Sequence, residues 1–110
     1  MSGYQEIDAA ALHAMLSGTP QPLLVDVRTS AETAKGIIQG ALLIPLPMLP
    51  SRIAELDGDT PLVLYCHSGI RSAQAGSFIA SHARDHVFNL RGGILAWGIA
   101  GYPLLPPPQE

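Results

Sequence analysis

Cys66 is the single cysteine of the chain, and its position in the sequence suits a reactive thiol. The apolar residues 62–65 before it have strand composition, and apolar residues recur at helical spacing in residues 73–82 after it. The cysteine is therefore predicted to lie where a buried strand ends and a helix is about to begin. The free N–H groups of a first helical turn favour the thiolate, which is the nucleophilic form of the side chain.

The residues between Cys66 and the predicted helix are suited to binding an anion. Gly69 allows the loop backbone to curl so that its N–H groups turn inward. Arg71 adds a permanent positive charge and a planar set of donors for sulfonate or phosphate oxygens. Ser72 is the predicted N-cap of the helix. An inert buried cysteine would need none of these neighbours, so the loop favours a thiolate inside an anion-binding loop.

Strands alternate with helices along the chain, which predicts a mostly parallel sheet covered by helices on both faces. Strands are predicted at residues 4–7, 23–27, 40–45, 62–65 and 87–90, and helical segments at 9–17, 30–35, 50–56, 73–82 and 94–100. Asp8 and Ser30 are predicted N-caps. The carboxyl ends of parallel strands meet at one edge of the sheet, so the site belongs at the edge that carries Cys66.

Two charged residues are predicted near that same edge. Asp26 is interpreted first as an ion-pair or turn carboxylate and second as a neighbour of the thiolate. Arg91 follows the last predicted strand, where it would either steer anionic donors towards the site or be a solvated surface residue.

Length and composition are those of one compact globular domain, with 110 residues, 47% apolar and 14% charged. The net charge of -3 argues against nucleic acid as a partner. The longest apolar stretch, residues 41–50, is broken by Pro45 and Pro47 and is too short to span a membrane. The N-terminus lacks the basic and apolar segments of a signal peptide, and a single cysteine forms no intrachain disulfide, so a cytoplasmic location is predicted.

Four stretches occur in an order that is typical of one protein family. They are Leu24–Arg28 (LVDVR), Gly36–Pro45 (GIIQGALLIP), Cys66–Ser72 (CHSGIRS) and Leu90–Pro103 (LRGGILAWGIAGYP). These stretches resemble the motifs of the rhodanese (thiosulfate sulfurtransferase) family and together span most of the chain. One position departs from the family pattern, because Ile37 stands where the family commonly has histidine.

The resemblance implies a rhodanese-like α/β fold, with a mainly parallel five-stranded sheet and helices on both faces, over residues 1–105, followed by a Pro-rich tail at 106–110. It also implies that Cys66 takes the outer sulfur of thiosulfate or a related donor as a persulfide. The sulfur then passes to cyanide, a cellular thiol or a sulfur-acceptor protein, without a cofactor. Cys66 and Arg71 are the predicted catalytic residues, and the predicted substrate-binding residues are His67, Ser68, Gly69, Ile70 and Ser72.

Three other functions remain open at this point. A rhodanese-fold phosphatase or arsenate reductase also uses cysteine and arginine, but such loops hold five residues between the two, whereas four separate Cys66 from Arg71. A non-catalytic interaction module typically lacks the cysteine. A metal site is disfavoured, because the candidate ligands lack a usual chelating spacing; they are Cys66, His67, His82 and His86.

Overall fold

The computed structural model describes residues 3–82 and 84–108, and its centre is a five-stranded parallel sheet. The strands are β1 (Gln5–Ile7), β2 (Leu23–Asp26), β3 (Leu42–Leu43), β4 (Leu62–Tyr65) and β5 (Val87–Leu90), in the order β1-β5-β4-β2-β3. The helices are α1 (Ala9–Leu16), α2 (Ser30–Thr33), α3 (Ile70–Ala80) and α4 (Gly93–Ile99). Two 3₁₀ helices, Leu46–Met48 and Pro50–Leu56, follow β3. The predicted fold is confirmed.

Strand β4 lies in the middle of the sheet and is buried on both faces. Leu62 and Leu64 pack into one core cluster, together with residues of α3 and of the second 3₁₀ helix. Val63 and Tyr65 pack into the other cluster, together with residues of α1 and α4. This alternation follows from the two-residue period of a strand, and the continuous apolar run reflects helices on both sides.

The helix starts differ in two places from those predicted. Asp8 caps α1 as expected, but Thr29 rather than Ser30 caps α2, because the Thr29 side chain and Glu32 form a reciprocal capping box. The prediction that Ser72 caps α3 is wrong. Gly69 adopts a left-handed conformation, with φ of +103°, which turns the chain directly into a helix that begins at Ile70. Ser72 therefore lies buried in the first helical turn.

The segment after α4 is held against the rest of the domain by two specific contacts. Trp97 donates its ring N–H to the Pro103 carbonyl oxygen at 2.9 Å. Leu105 then pairs with Ile37 as an antiparallel bridge, with both N···O distances at 2.8 Å. Of the predicted tail, only residues 106–108 lie within the described part of the chain. No helix among the described residues has the length and apolar character needed to cross a bilayer.

The first turn of α4 lies directly against the loop that follows β4. The N–H of Ile94 donates to the Cys66 carbonyl oxygen at 2.9 Å, and the N–H of Leu95 donates to that of His67 at 3.2 Å. A Cβ atom on Gly93 would lie 2.6 Å from the Cys66 carbonyl oxygen and closer still to that of His67. Gly93 also has φ of +60°. Only glycine fits at this contact without displacing the loop.

Gly93→Ala is therefore expected to lower the free energy of unfolding by about 2 kcal/mol or more, because the added methyl group meets backbone atoms. Gly98→Ala, in the same helix, is the matched control, since nothing lies within 4 Å of the position that its methyl group would take and its φ is not left-handed. That change should be neutral or stabilising by up to about 1 kcal/mol. Urea unfolding measures both. A Gly93→Ala protein as stable as the wild type would contradict the packing described.

Candidate functional site

The sulfur of Cys66 is buried at the carboxyl end of β4 and is surrounded by hydrogen-bond donors. The Gly69 N–H donates to Sγ at 3.1 Å, and the Ser72 N–H donates to it at 3.4 Å. The Ser72 hydroxyl oxygen also lies 3.4 Å from Sγ. The side chain is only 1% exposed, so these groups replace the solvent that a free thiolate would have.

Two opposing effects set the acidity of this thiol. Burial raises the pKa of Cys66, and this is the largest single contribution. Hydrogen bonds from the Ser72 hydroxyl and from the backbone N–H groups of Ser72, Gly69 and Ser68 lower the pKa, and together they outweigh burial. The pKa of Cys66 therefore lies below its ordinary value. Neutral dipoles, more than the charge of Arg71, make the sulfur acidic.

A second layer of side chains holds Ser72 in place. Its hydroxyl oxygen lies 2.5 Å from Oδ1 of Asn89, which is 2% exposed on β5. The Asn89 amide donates to the Glu6 carboxylate at 3.0 Å and to the Gly69 carbonyl oxygen at 3.2 Å. Asn89 is not among the site residues predicted from the sequence. The available signal was a polar residue inside an otherwise apolar strand.

The main contact of the Arg71 guanidinium is with Glu32 rather than with the Cys66 sulfur. Its two terminal nitrogens donate to the two carboxylate oxygens of Glu32 at 2.7 and 2.8 Å. Glu32 is also held by the N–H and hydroxyl groups of Thr29, at 3.0 and 3.1 Å. The hydrogen bonds from Arg71 first, and those from Thr29, lower the pKa of Glu32 to about 2 against the effect of burial. Glu32 was missed in the sequence, although its spacing from Thr29 is that of a capping box.

A cavity of about 380 Å³ opens beside the cysteine loop. Of the predicted site residues, His67 and Arg71 line it, whereas Gly69 and Ser72 contact the sulfur. Ser68 contributes its N–H, and the side chain of Ile70 is 73% exposed. The full set of lining residues is Arg28, Glu32, Lys35, Gly36, His67, Arg71, Ile94 and Leu104. Cys66 itself is not among these lining residues, and the cavity reaches its loop through His67 and Arg71. Another cavity, of about 290 Å³, includes Ile79 and His82 near the opposite end of α3.

The structure also places the two charged residues predicted near this edge. Asp26 is fully buried and forms a salt bridge with Arg28 at 2.7 Å, which confirms the ion-pair interpretation. Arg28 donates in addition to the Gly36 carbonyl oxygen at 2.7 Å and so ties β2 to the wall of the cavity. Arg91 is exposed and follows β5, but its side chain is not among the described residues that line the cavity beside the loop.

An acidic cysteine in a loop of inward-facing N–H groups, at the carboxyl edge of a parallel sheet, defines an α/β protein built for nucleophilic group transfer. The model of the rhodanese-like domain family matches residues 8–100. A sulfurtransferase from Allochromatium vinosum is 44% identical over 102 residues, which cover 93% of this chain and 95% of that protein. The chain belongs to the rhodanese-like domain family, and its sulfurtransferase relatives support sulfur transfer as its general type of reaction.

Solved structures agree with this assignment. A rhodanese-like domain protein from Staphylococcus aureus is 31% identical with a TM-score of 0.85, covering 94% of this chain and 99% of that chain. A thiosulfate sulfurtransferase from Pseudomonas aeruginosa is 25% identical with a TM-score of 0.86. The match covers 97% of this chain but only 21% of the Pseudomonas chain, so the whole architecture of this chain corresponds to one part of that protein.

Ser72→Ala should raise the pKa of Cys66, because the change removes the hydroxyl from the groups that favour the thiolate. The rate of Cys66 alkylation, followed against pH, reports this pKa. The matched control is Ser77→Ala, at an exposed position further along α3, which should leave the profile unchanged. A profile for Ser72→Ala identical to that of the wild type would show that the backbone N–H groups alone set the acidity.

The ion pair of Glu32 predicts a pH-dependent contribution to stability. The pKa of Glu32 in the folded state, about 2, lies below the ordinary value of about 4.3, so the folded state binds fewer protons. The stabilisation is complete above the ordinary value and is lost as the pH falls towards 2. The difference in melting temperature between wild type and Glu32→Gln should therefore be largest near neutral pH and shrink below about pH 4.3. A difference independent of pH would contradict this account.

Proposed function

We propose that this protein is a thiosulfate-type sulfurtransferase that carries sulfur as a persulfide on Cys66. The observation that supports the proposal is the set of N–H and O–H groups around the buried Sγ atom. They favour the thiolate that must attack the donor, and they are equally suited to the anionic persulfide that must form. The sulfurtransferase relatives add independent support.

The reaction has two steps. The Cys66 thiolate attacks the outer sulfur of thiosulfate, an S–S bond forms on Cys66, and the S–S bond of thiosulfate breaks so that sulfite leaves with the electron pair. A nucleophilic acceptor then attacks the outer sulfur of the persulfide and regenerates the Cys66 thiolate. Cyanide would leave as thiocyanate, and a cellular thiol or the thiol of a sulfur-acceptor protein would leave as a persulfide. No net oxidation takes place and no cofactor is needed.

Arg71 and His67 line the cavity by which a donor would approach the sulfur. The Arg71 guanidinium has five N–H groups, and Glu32 engages one on each terminal nitrogen, which leaves three for the sulfonate of a donor. Ser68, Gly69, Ile70 and Ser72 complete the proposed substrate-binding loop. We place the reaction in the cytoplasm, where the reducing environment keeps a lone thiol free and supplies acceptor thiols.

A phosphatase or arsenate reductase is the main alternative. Such an enzyme needs a loop that wraps a tetrahedral anion, with the arginine closing over its oxygens. Here only four residues separate Cys66 from Arg71, so the loop is smaller than such an enzyme uses. An interaction module is disfavoured because it has no need of an acidic, hydrogen-bonded thiol.

Incubation with thiosulfate should raise the intact mass of the protein by one sulfur atom, and added cyanide should reverse the change. Cys66→Ser should show neither effect, because no other thiol is present. The same preparations should hydrolyse aryl phosphates at a negligible rate. Absence of the adduct on wild-type protein would contradict the persulfide mechanism, and robust phosphatase turnover that is lost in Cys66→Ser would favour the alternative.

A further inference from the structure

The cavity beside the Cys66 loop has a net charge of only about +1 when the buried Asp26 behind its wall is counted with the lining residues. Arg28, Lys35 and Arg71 are its cationic lining residues. The charge of Arg28 is offset by the buried Asp26 and that of Arg71 by Glu32, at 2.7 Å in each case. Lys35 has no ion pair among the described residues, and its side chain is exposed. The positive potential that an incoming anion meets is therefore much smaller than three cations would give.

Glu32 is fixed in this place by two independent sets of contacts. On one side it closes the capping box of α2, where it accepts from Thr29 and also donates its own N–H to the Thr29 hydroxyl oxygen at 3.2 Å. On the other side it accepts from both terminal nitrogens of Arg71. A carboxylate held from both sides is a permanent negative charge in the wall of the cavity, and its pKa, lowered to about 2, keeps it ionised at physiological pH.

We propose that Glu32 is a specificity-determining residue that sets the charge preference of this site. By offsetting Arg71, it disfavours dianions relative to monoanions and neutral molecules of similar shape. If the protein is a sulfurtransferase as proposed above, Glu32 biases it towards sulfur donors that carry a single negative charge and away from dianionic thiosulfate. This preference among donors rests on the proposed function. The physical reason is that a dianion loses twice as much attraction as a monoanion when one positive charge is offset.

The first test measures charge selectivity without any turnover. Cys66 is alkylated with iodoacetate, an anion, and with iodoacetamide, its neutral counterpart of nearly the same shape, and the ratio of the two rates is recorded. Changes in the pKa of the thiol affect both reagents equally and cancel in the ratio. Glu32→Gln should raise the iodoacetate to iodoacetamide ratio roughly 3- to 10-fold at low ionic strength, and added salt should reduce the effect.

The chain offers a matched control in the surface pair of Arg52 and Glu55, which is also bidentate, with Nε and one terminal nitrogen of Arg52 each donating at 2.8 Å. Glu55→Gln changes the net charge of the protein by the same amount, but neither partner lines the cavity. This variant should leave the ratio unchanged. Lys35→Met removes a cation from the cavity wall and should lower the ratio. Because Lys35 is exposed, this variant tests the premise of the proposal even if Glu32→Gln does not fold. An unchanged ratio in Lys35→Met would show that charges in the cavity wall do not act on reagents that reach Cys66, and it would overturn the proposal.

The second test compares two sulfur donors that differ by one charge, thiosulfate and methanethiosulfonate. With the latter, the thiolate attacks the outer sulfur and methanesulfinate leaves with the electron pair, so the same persulfide is formed. Glu32→Gln should raise the ratio of kcat/KM for thiosulfate to that for methanethiosulfonate, by a factor similar to the change in the alkylation ratio. A purely structural role of Glu32 would lower both values together and leave their ratio unchanged.

The outcomes distinguish the effect of Glu32 on charge selectivity from its effect on the choice of sulfur donor. An alkylation ratio that does not change in Glu32→Gln, or that changes equally in Glu55→Gln, overturns the charge role of Glu32. A changed alkylation ratio with an unchanged donor ratio overturns its role in donor selection. If wild-type protein forms no persulfide with either donor, the proposed function fails, and the alkylation ratio alone decides whether Glu32 selects by charge.

Discussion

The site depends on the balance between burial and hydrogen bonding at the Cys66 sulfur. Removing Cys66 from water favours the neutral thiol, and only the hydrogen bonds from the loop and from Ser72 reverse that preference. Such a balance requires N–H groups that point inward and carbonyl groups that point away. The left-handed turn at Gly69 directs the N–H groups towards Sγ. The first turn of α4 draws the carbonyl oxygens of Cys66 and His67 in the opposite direction. Helix α4 thus takes part in the site without touching the sulfur.

Because neutral dipoles already stabilise the thiolate, Arg71 is free for another task. A cation committed to the sulfur would be of little use for recognising a donor. Here Arg71 lies in the wall of the cavity, and Glu32, fixed by the cap of α2, determines its position and offsets its charge. The short helix α2 has four residues and little packing of its own. Its clearest contribution to the protein is this placement of a carboxylate against the first turn of α3.

The parts predicted from the sequence are those fixed by local patterns. The continuous apolar run and strand composition of residues 62–65 predict a buried strand, and the following CHSGIRS segment predicts a reactive cysteine before a helix. What could not be predicted depends on distant residues. Arg71 and Glu32 are 39 positions apart, and Asn89 and Glu6 are 83 apart. These contacts can be predicted only when the strand order is known. The start of α3 was misplaced for a local reason, since helical φ and ψ at Ile70 follow from the left-handed Gly69.

The Ser72 hydroxyl group lies between the Cys66 sulfur and the Asn89 side chain. Its oxygen lies 2.5 Å from Oδ1 of Asn89 and 3.4 Å from Sγ of Cys66. The Asn89 amide is oriented by its donation to Glu6 and to the Gly69 carbonyl, so that Oδ1 faces Ser72 as an acceptor. A chain of polar contacts thus runs from Cys66 through Ser72 and Asn89 to the Glu6 carboxylate on the edge strand β1. Residues from three neighbouring elements, α3, β5 and β1, therefore support the position of the hydroxyl group beside the sulfur.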